Sequence, residues 1–151
     1  MSVESSVDTL QVVVFRLLDQ TSNRREEYGI GVEQVQEIRF LENITRIPKA
    51  PSHVIGVMNL RGKIISVIDL KSKLGFHTTG STTTSSRILV AEIKGALMGL
   101  LVDEVDQVMR ISDKEIEPSP SESESVKYVK GIAKTQDRLI VILDLPKLLE
   151  G

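Results

Sequence analysis

Two stretches of this chain repeat each other in register. Residues 56–74 lie on residues 131–149 without a gap, at an offset of 75. Gly56/Gly131, Ile65/Ile140, Asp69/Asp144, Leu70/Leu145 and Leu74/Leu149 are identical. Val57/Ile132, Lys63/Arg138, Ile64/Leu139, Val67/Ile142 and Ile68/Leu143 are conservative. Upstream, Gly29-Ile30-Gly31-Val32, Val35 and Ile38 lie on Gly99-Leu100-Leu101-Val102, Val105 and Val108, and Pro48 and Pro118 keep that second offset. A strand slipped by one residue turns every side chain to the other face, so register kept over this many apolar positions marks a duplicated fold. The chain is then two similar units of roughly 70 residues, each marginal alone and better stabilised against its twin. Packing twins leaves a seam, a natural place for a binding groove.

Within each unit the pattern is short strands and tight turns. Residues 11–18 are β-branched and apolar and read as a strand, 19–26 as a polar tip, and 28–32 as the returning strand. Val35, Ile38 and Leu41 continue as a turn followed by a strand, although the spacing from Val32 to Val35 to Ile38 is close to helical. Arg46 to Pro51 is extended, because each proline biases its predecessor away from the helical region, and Ser52 is placed to cap a helical turn over 52–55. Three hairpins are expected, across Arg61-Gly62, Lys94-Gly95 and Gln136-Asp137. Asp69 and Asp144 each precede a short helical segment as N-caps, with Pro146 in the first turn of the second. Residues 77–86 and 119–125 are Ser/Thr-rich loops. The class expected from the residues is all-β, a sandwich or a barrel.

Composition removes several function classes. There is no cysteine, hence no disulfide, thiol nucleophile or cysteine zinc site, and only His53 and His77 are available to a metal or a triad. Formal net charge is −2 and aromatics are 3%, which disfavours a nucleic-acid surface. The rival small-barrel nucleic-acid module would need more than Arg24-Arg25 and a few rings. No apolar run approaches the ~20 residues of a membrane helix, and the first residues do not read as a signal peptide.

Equivalent positions explain several tempting residues. Asp69 and Asp144 occupy matching strand-to-helix sites, so capping accounts for both without catalysis. The glycines at 29–31 and 56–62 open no long helix and are not phosphate cradles. Arg61 differs: its counterparts are Gln136 and Asp137, so the repeated fold does not demand it. Val35 and Glu37 correspond to Val105 and Gln107, with the charge in one half only. An arginine fork at a turn tip suits the directed hydrogen bonds of a protein–protein contact, and, separately, an aliphatic such as Val35 beside the charge of Glu37 suits one side of a partner site.

The stretch Val54-Ile55-Gly56-Val57-Met58-Asn59-Leu60-Arg61-Gly62-Lys63-Ile64-Ile65-Ser66-Val67-Ile68-Asp69-Leu70 resembles the hallmark of CheW-like domains. Glu27-Tyr28-Gly29-Ile30, Val35-Gln36-Glu37-Ile38-Arg39, Arg46-Ile47-Pro48, Gly99 to Val105 and the Leu139 to Leu149 tail resemble it in the same order. The likeness runs from about residue 10 to residue 149 and departs at Ser66, where the family commonly has proline. It implies an all-β fold of two small five-stranded barrels of the Src-homology-3 kind, packed together with a few short helices. The expected organisation is a tail over 1–9 and one domain over 10–151, with subdomains near 10–80 and 86–151 and strand exchange between them left open. Residues 1–9 and 150–151 are too short for a kinase lobe or a receiver domain. The implied function is a cytoplasmic, non-catalytic chemotaxis coupling protein that needs no cofactor. It would bridge the helical-hairpin tips of chemoreceptors to the regulatory domain of the histidine kinase CheA, without nucleic acid and without inserting into the membrane. Val35, Glu37, Gly56 and Arg61 match positions that the family uses for partner contact, with Asn59 and Val32 beside them.

Overall fold

The computed structural model describes residues 9–19, 24–76, 82–118 and 128–149. Along them run β1 (Thr9–Asp19), β2 (Arg24–Gly31), β3 (Val35–Phe40), β4 (Val54–Leu60), β5 (Lys63–Asp69), α1 (Leu70–Lys73), β6 (Arg87–Ile93), β7 (Ala96–Val102), β8 (Glu104–Ser112), β9 (Ile116–Glu117), β10 (Val129–Thr135), β11 (Arg138–Leu143) and α2 (Leu145–Leu148). Most of the expected tail, residues 1–8, falls outside the described residues, as do His77 and the run 119–125; Thr9 already belongs to β1.

The strands form a six-stranded sheet, β8-β1-β2-β11-β10-β9, and a five-stranded sheet, β3-β6-β7-β5-β4. The fold is all-β with two short helices, in two matching sheets. The sixth strand is the two-residue β9, whose counterpart is an isolated bridge between Thr45 and Val57. Strands cross the mid-chain Ser/Thr run: β1 and β2 join β8–β11, while β6 and β7 join β3–β5. Each sheet carries one parallel pair at the matching place, β2 with β11 and β7 with β5. The duplication therefore survives in three dimensions, ladder by ladder.

Local chemistry fixes the hairpins. Arg61 and Gly62 have φ of +49° and +88°, Lys94 and Gly95 +53° and +84°, Gln136 and Asp137 +52° and +62°. Positive φ at both central residues defines the type I′ turn, whose twist matches that of the flanking strands. Asp69 and Asp144 cap α1 and α2, accepting from the amides of Lys71 and Lys147 at 3.0 and 3.1 Å. The helical turn expected over 52–55 is instead one tight turn, with the Val54 amide donating to the Pro51 carbonyl at 2.9 Å before β4 begins. Pairing of Val54 with Ile68 in the neighbouring strand holds the chain extended there.

Alternation along the strands sorts side chains into three cores. Val13, Phe15, Leu17, Ile68, Leu70, Leu89, Leu100 and Leu143 meet between the sheets. Val12, Val14, Met109, Ile140 and Ile142 fill the hollow of the six-stranded sheet. Met58, Leu60, Ile65, Val67, Ile88 and Val90 fill that of the five-stranded sheet.

Candidate functional site

β3 and β4 are the two edges of the five-stranded sheet, and the Arg61 turn brings them together. Arg61 Nη2 donates to Glu37 Oε2 at 2.6 Å. Glu37 Oε1 accepts from Arg39 Nη1 at 3.2 Å, and Arg39 in turn donates to Glu42 through Nη2 and, at 2.9 Å, through Nε. Four charges alternate in a chain of no net charge on the rim of one hollow. Glu37 and Arg39 point the same way because they are two residues apart in a strand. The Arg61 hydrogen bond, helped by Arg39, holds the Glu37 carboxyl below the usual carboxylate range. The Arg61 side chain remains 68% exposed, so it is both positioned and accessible.

The structure joins Glu37 and Arg61 and gives the other expected residues supporting places. Asn59 is exposed, and its Oδ1 accepts from the Gly62 amide at 2.8 Å, shaping the turn that presents Arg61. Val32 opens a 3-10 turn, Val32–Gln34, and both it and Val35 pack against the inter-sheet core. Gly56 is buried in β4 beneath the Thr45 carbonyl, where a side chain would clash, and Gly131 lies likewise beneath Glu117. Arg39 and Glu42 escaped the sequence reading. The signal that would have found them is the two-residue step from Glu37 to Arg39 on one strand face.

Exposed aliphatics flank this rim. Ile64 is 69% exposed on the β5 face that carries Ile68 into the inter-sheet core, and its counterpart Leu139 is 63% exposed on the matching face of β11. Ile38 stands opposite Leu89, on the same side. The inter-sheet apolar surface thus runs out past the buried core at equivalent places in both halves.

A second charge cluster lies in the six-stranded sheet. Arg16 bonds Glu27 at 2.9 Å and both Glu104 and Asp106 at 3.2 Å, while Arg138 reaches Glu27 at 2.8 Å and Asp106 at 2.9 Å. These side chains close one end of the six-stranded sheet's hollow, continuing the Val12–Val14 face. Hydrogen bonds from Arg138 lead in holding Glu27 and Asp106 below their ordinary values of 4.5 and 3.8, with Arg16 adding to both and the Gln107 amide to Asp106. Lowered folded pKa values contribute stability above those ordinary values, and it is lost as pH falls through the folded ones. The urea midpoint is expected to be flat from about pH 7 to 5 and to fall below about pH 4, with Glu27→Gln flattening the fall. An unchanged pH profile in Glu27→Gln would count against the cluster as the acid-sensitive element.

Two matching sheets, a charged rim and an apolar seam describe a surface built to hold other proteins. A family profile for the CheW-like domain matches residues 11–151. The chain belongs to the CheW-like family. The chemotaxis protein CheW of Rhizobium meliloti is 31% identical over 137 residues, covering 89% of this chain and 84% of that protein. That of Thermotoga maritima is 36% identical over 122 residues, covering 81% and 80%. The crystal structure of a CheW scaffolding protein from Thermoanaerobacter tengcongensis matches with a TM-score of 0.83 at 39% identity, covering 95% of this chain and 94% of that one. The protein is a chemotaxis coupling scaffold of this family. The nucleic-acid alternative finds no support: Arg16, Arg39 and Arg138 are neutralised by acids, and Phe15 and Tyr28 are buried in the core. No helix among the described residues is long and apolar enough to cross a membrane.

Proposed function

We propose that this protein works without catalysis in the cytoplasm, bridging the helical-hairpin tips of chemoreceptors to the regulatory domain of the histidine kinase CheA. The observation that carries this reading is the Glu37–Arg61 pair, held across two sheet edges on a rigid turn and absent from the duplicated half, where Gln107 and Gln136 stand. A fold that repeats without that pair does not need it, and an exposed ion pair adds little to stability. A helical receptor tip would lay an aliphatic stripe along the inter-sheet seam, in the helix-in-groove mode, with Arg61 at its margin. The kinase domain would meet a separate sheet surface. Individually weak contacts would gain strength from many copies side by side. Control of the kinase then requires that the assembled scaffold favour one of its states over the other.

Co-sedimentation with receptor-bearing membranes, with and without the kinase, tests the bridge. The protein is expected to pellet with receptors alone and to carry the kinase with it; failure of the ternary assembly would sink the reading. Arg61→Ala is expected to keep the wild-type melting curve and weaken binding to receptor or kinase by at least about fivefold. Unchanged affinity for both partners would remove Arg61 from the site.

A further inference from the structure

Among the described residues Phe40 is the most exposed large apolar side chain, at 71%. It ends β3, directly opposite Arg87 on β6, and the Arg87 guanidinium sits over its ring, 4.5 Å from the centroid. That guanidinium is fixed from behind: its Nη1 donates to the carbonyls of Thr84 at 3.0 Å and Ser86 at 2.9 Å. Among the described residues its Nε and Nη2 have no hydrogen-bond partner. In the other half the same cross-strand site holds Arg110 opposite Gln11, so the duplicated fold does not require this pair. An exposed ring costs solubility without stabilising the core, and a stacked arginine held in place has already lost much of the entropy that binding would remove.

We infer that Phe40 and Arg87 form a docking point for a helical partner that presents an aliphatic side chain and a carboxylate one turn apart. Side chains three or four residues apart on a helix have Cβ atoms about 5–6 Å apart, close to the separation of ring and guanidinium. The aliphatic group covers the ring, and the carboxylate takes the free edge of the guanidinium fork. Phe40 stands two residues from the exposed Ile38 on the same face of β3, so this point continues the apolar margin of the inter-sheet seam along which the receptor tip is proposed to lie. The inference rests on that reading and names the helical receptor tip as the occupant.

A purified soluble fragment of a chemoreceptor cytoplasmic tip is the probe, titrated against wild type, Phe40→Ala, Phe40→Trp, Arg87→Gln and Arg61→Ala. Phe40→Ala is expected to bind at least about tenfold more weakly with a melting temperature within about one degree of wild type. Phe40→Trp should retain binding, and Arg87→Gln should weaken it and reduce its salt dependence. If Phe40→Ala and Arg87→Gln bind like wild type while Arg61→Ala is impaired, this docking point is overturned and the receptor reading stands. If wild type itself does not bind the fragment, both fall.

Discussion

Gly56→Ala is expected to lower unfolding stability by about 3 kcal/mol or more, at the upper end of what overpacking costs. The methyl group would fall within the van der Waals shell of the Thr45 carbonyl oxygen and lie 2.8 Å from Ile44 Cγ2. Thr45 cannot yield cheaply, because its amide and carbonyl both pair with Val57, at 2.9 and 2.8 Å. Gly131→Ala should cost less, since its new methyl would stand 2.8 Å from the Glu117 carbonyl and Glu117 belongs to a strand of two residues. Gly62→Ala separates backbone strain from crowding: that site has open space but φ of +88°, and about 1 kcal/mol is expected. Urea titrations of the three variants give the order directly, and a Gly56→Ala midpoint close to wild type would disprove the close approach. The series also sorts partner effects. Loss of binding in Gly56→Ala should travel with a lowered melting temperature, whereas loss in Arg61→Ala should not.

The three type I′ hairpins and both helix caps were legible because each depends on residues close together in sequence. The turn from β2 into β3 and the strand β8 were harder to read, and β-bulges are the reason. Val35 pairs with Ala91 and Ile38 with Leu89, so three residues on β3 oppose two steps on β6. Val105 pairs with Phe15 and Val108 with Val13 in the same way. One extra residue converts the two-residue period of a strand into an apparent three, which imitates a helix. Residues 24–26 belong to the segment 19–26 that reads as a loop tip, but they are strand. Glu27 satisfies Arg16 and Arg138, and the Tyr28 hydroxyl donates to Glu26, so polar side chains are at home there.

The candidate site was legible in part. That Arg61 is free of the duplicated pattern follows from one alignment of the chain on itself. That it bonds Glu37, 24 residues away, depends on the curl of a sheet that brings its two edges together, which no local pattern encodes. The same alignment reads best where it fails. Phe40 against Arg110 and Arg61 against Gln136 are breaks in the repeat, whereas Gly56 against Gly131 keeps the repeat and serves the backbone. Gly56 was chosen for its motif, and the geometry supplies a packing reason for it that a partner contact is not needed to explain.

Lys71 carries the other large expected effect. It lies on α1 and is buried; its Nζ pairs with Asp103 Oδ2 at 3.0 Å and donates to the Leu18 carbonyl at 3.2 Å. Asp103 Oδ2 also accepts from the Leu18 amide at 2.7 Å. Leu18 is on β1 in one sheet, α1 follows β5 of the other, and Asp103 is the residue between β7 and β8 where the chain passes between them. One cation thus ties three segments at the crossing. Its duplicate position is Pro146, so the tie is made once. Lys71→Met is expected to cost about 3–5 kcal/mol, because it strands a partly buried carboxylate rather than because the pair was strongly stabilising. Asp103→Asn in the same chain removes the stranded charge and keeps an acceptor for the Leu18 amide. The double variant should therefore be more stable than Lys71→Met alone, with a coupling of about 1–3 kcal/mol in the double-mutant cycle. Faster hydrogen exchange at the Leu18 amide in Lys71→Met would locate the damage at the end of β1. A loss below about 1 kcal/mol in Lys71→Met would mean that water reaches Asp103, and that the two sheets are held by their shared apolar core alone.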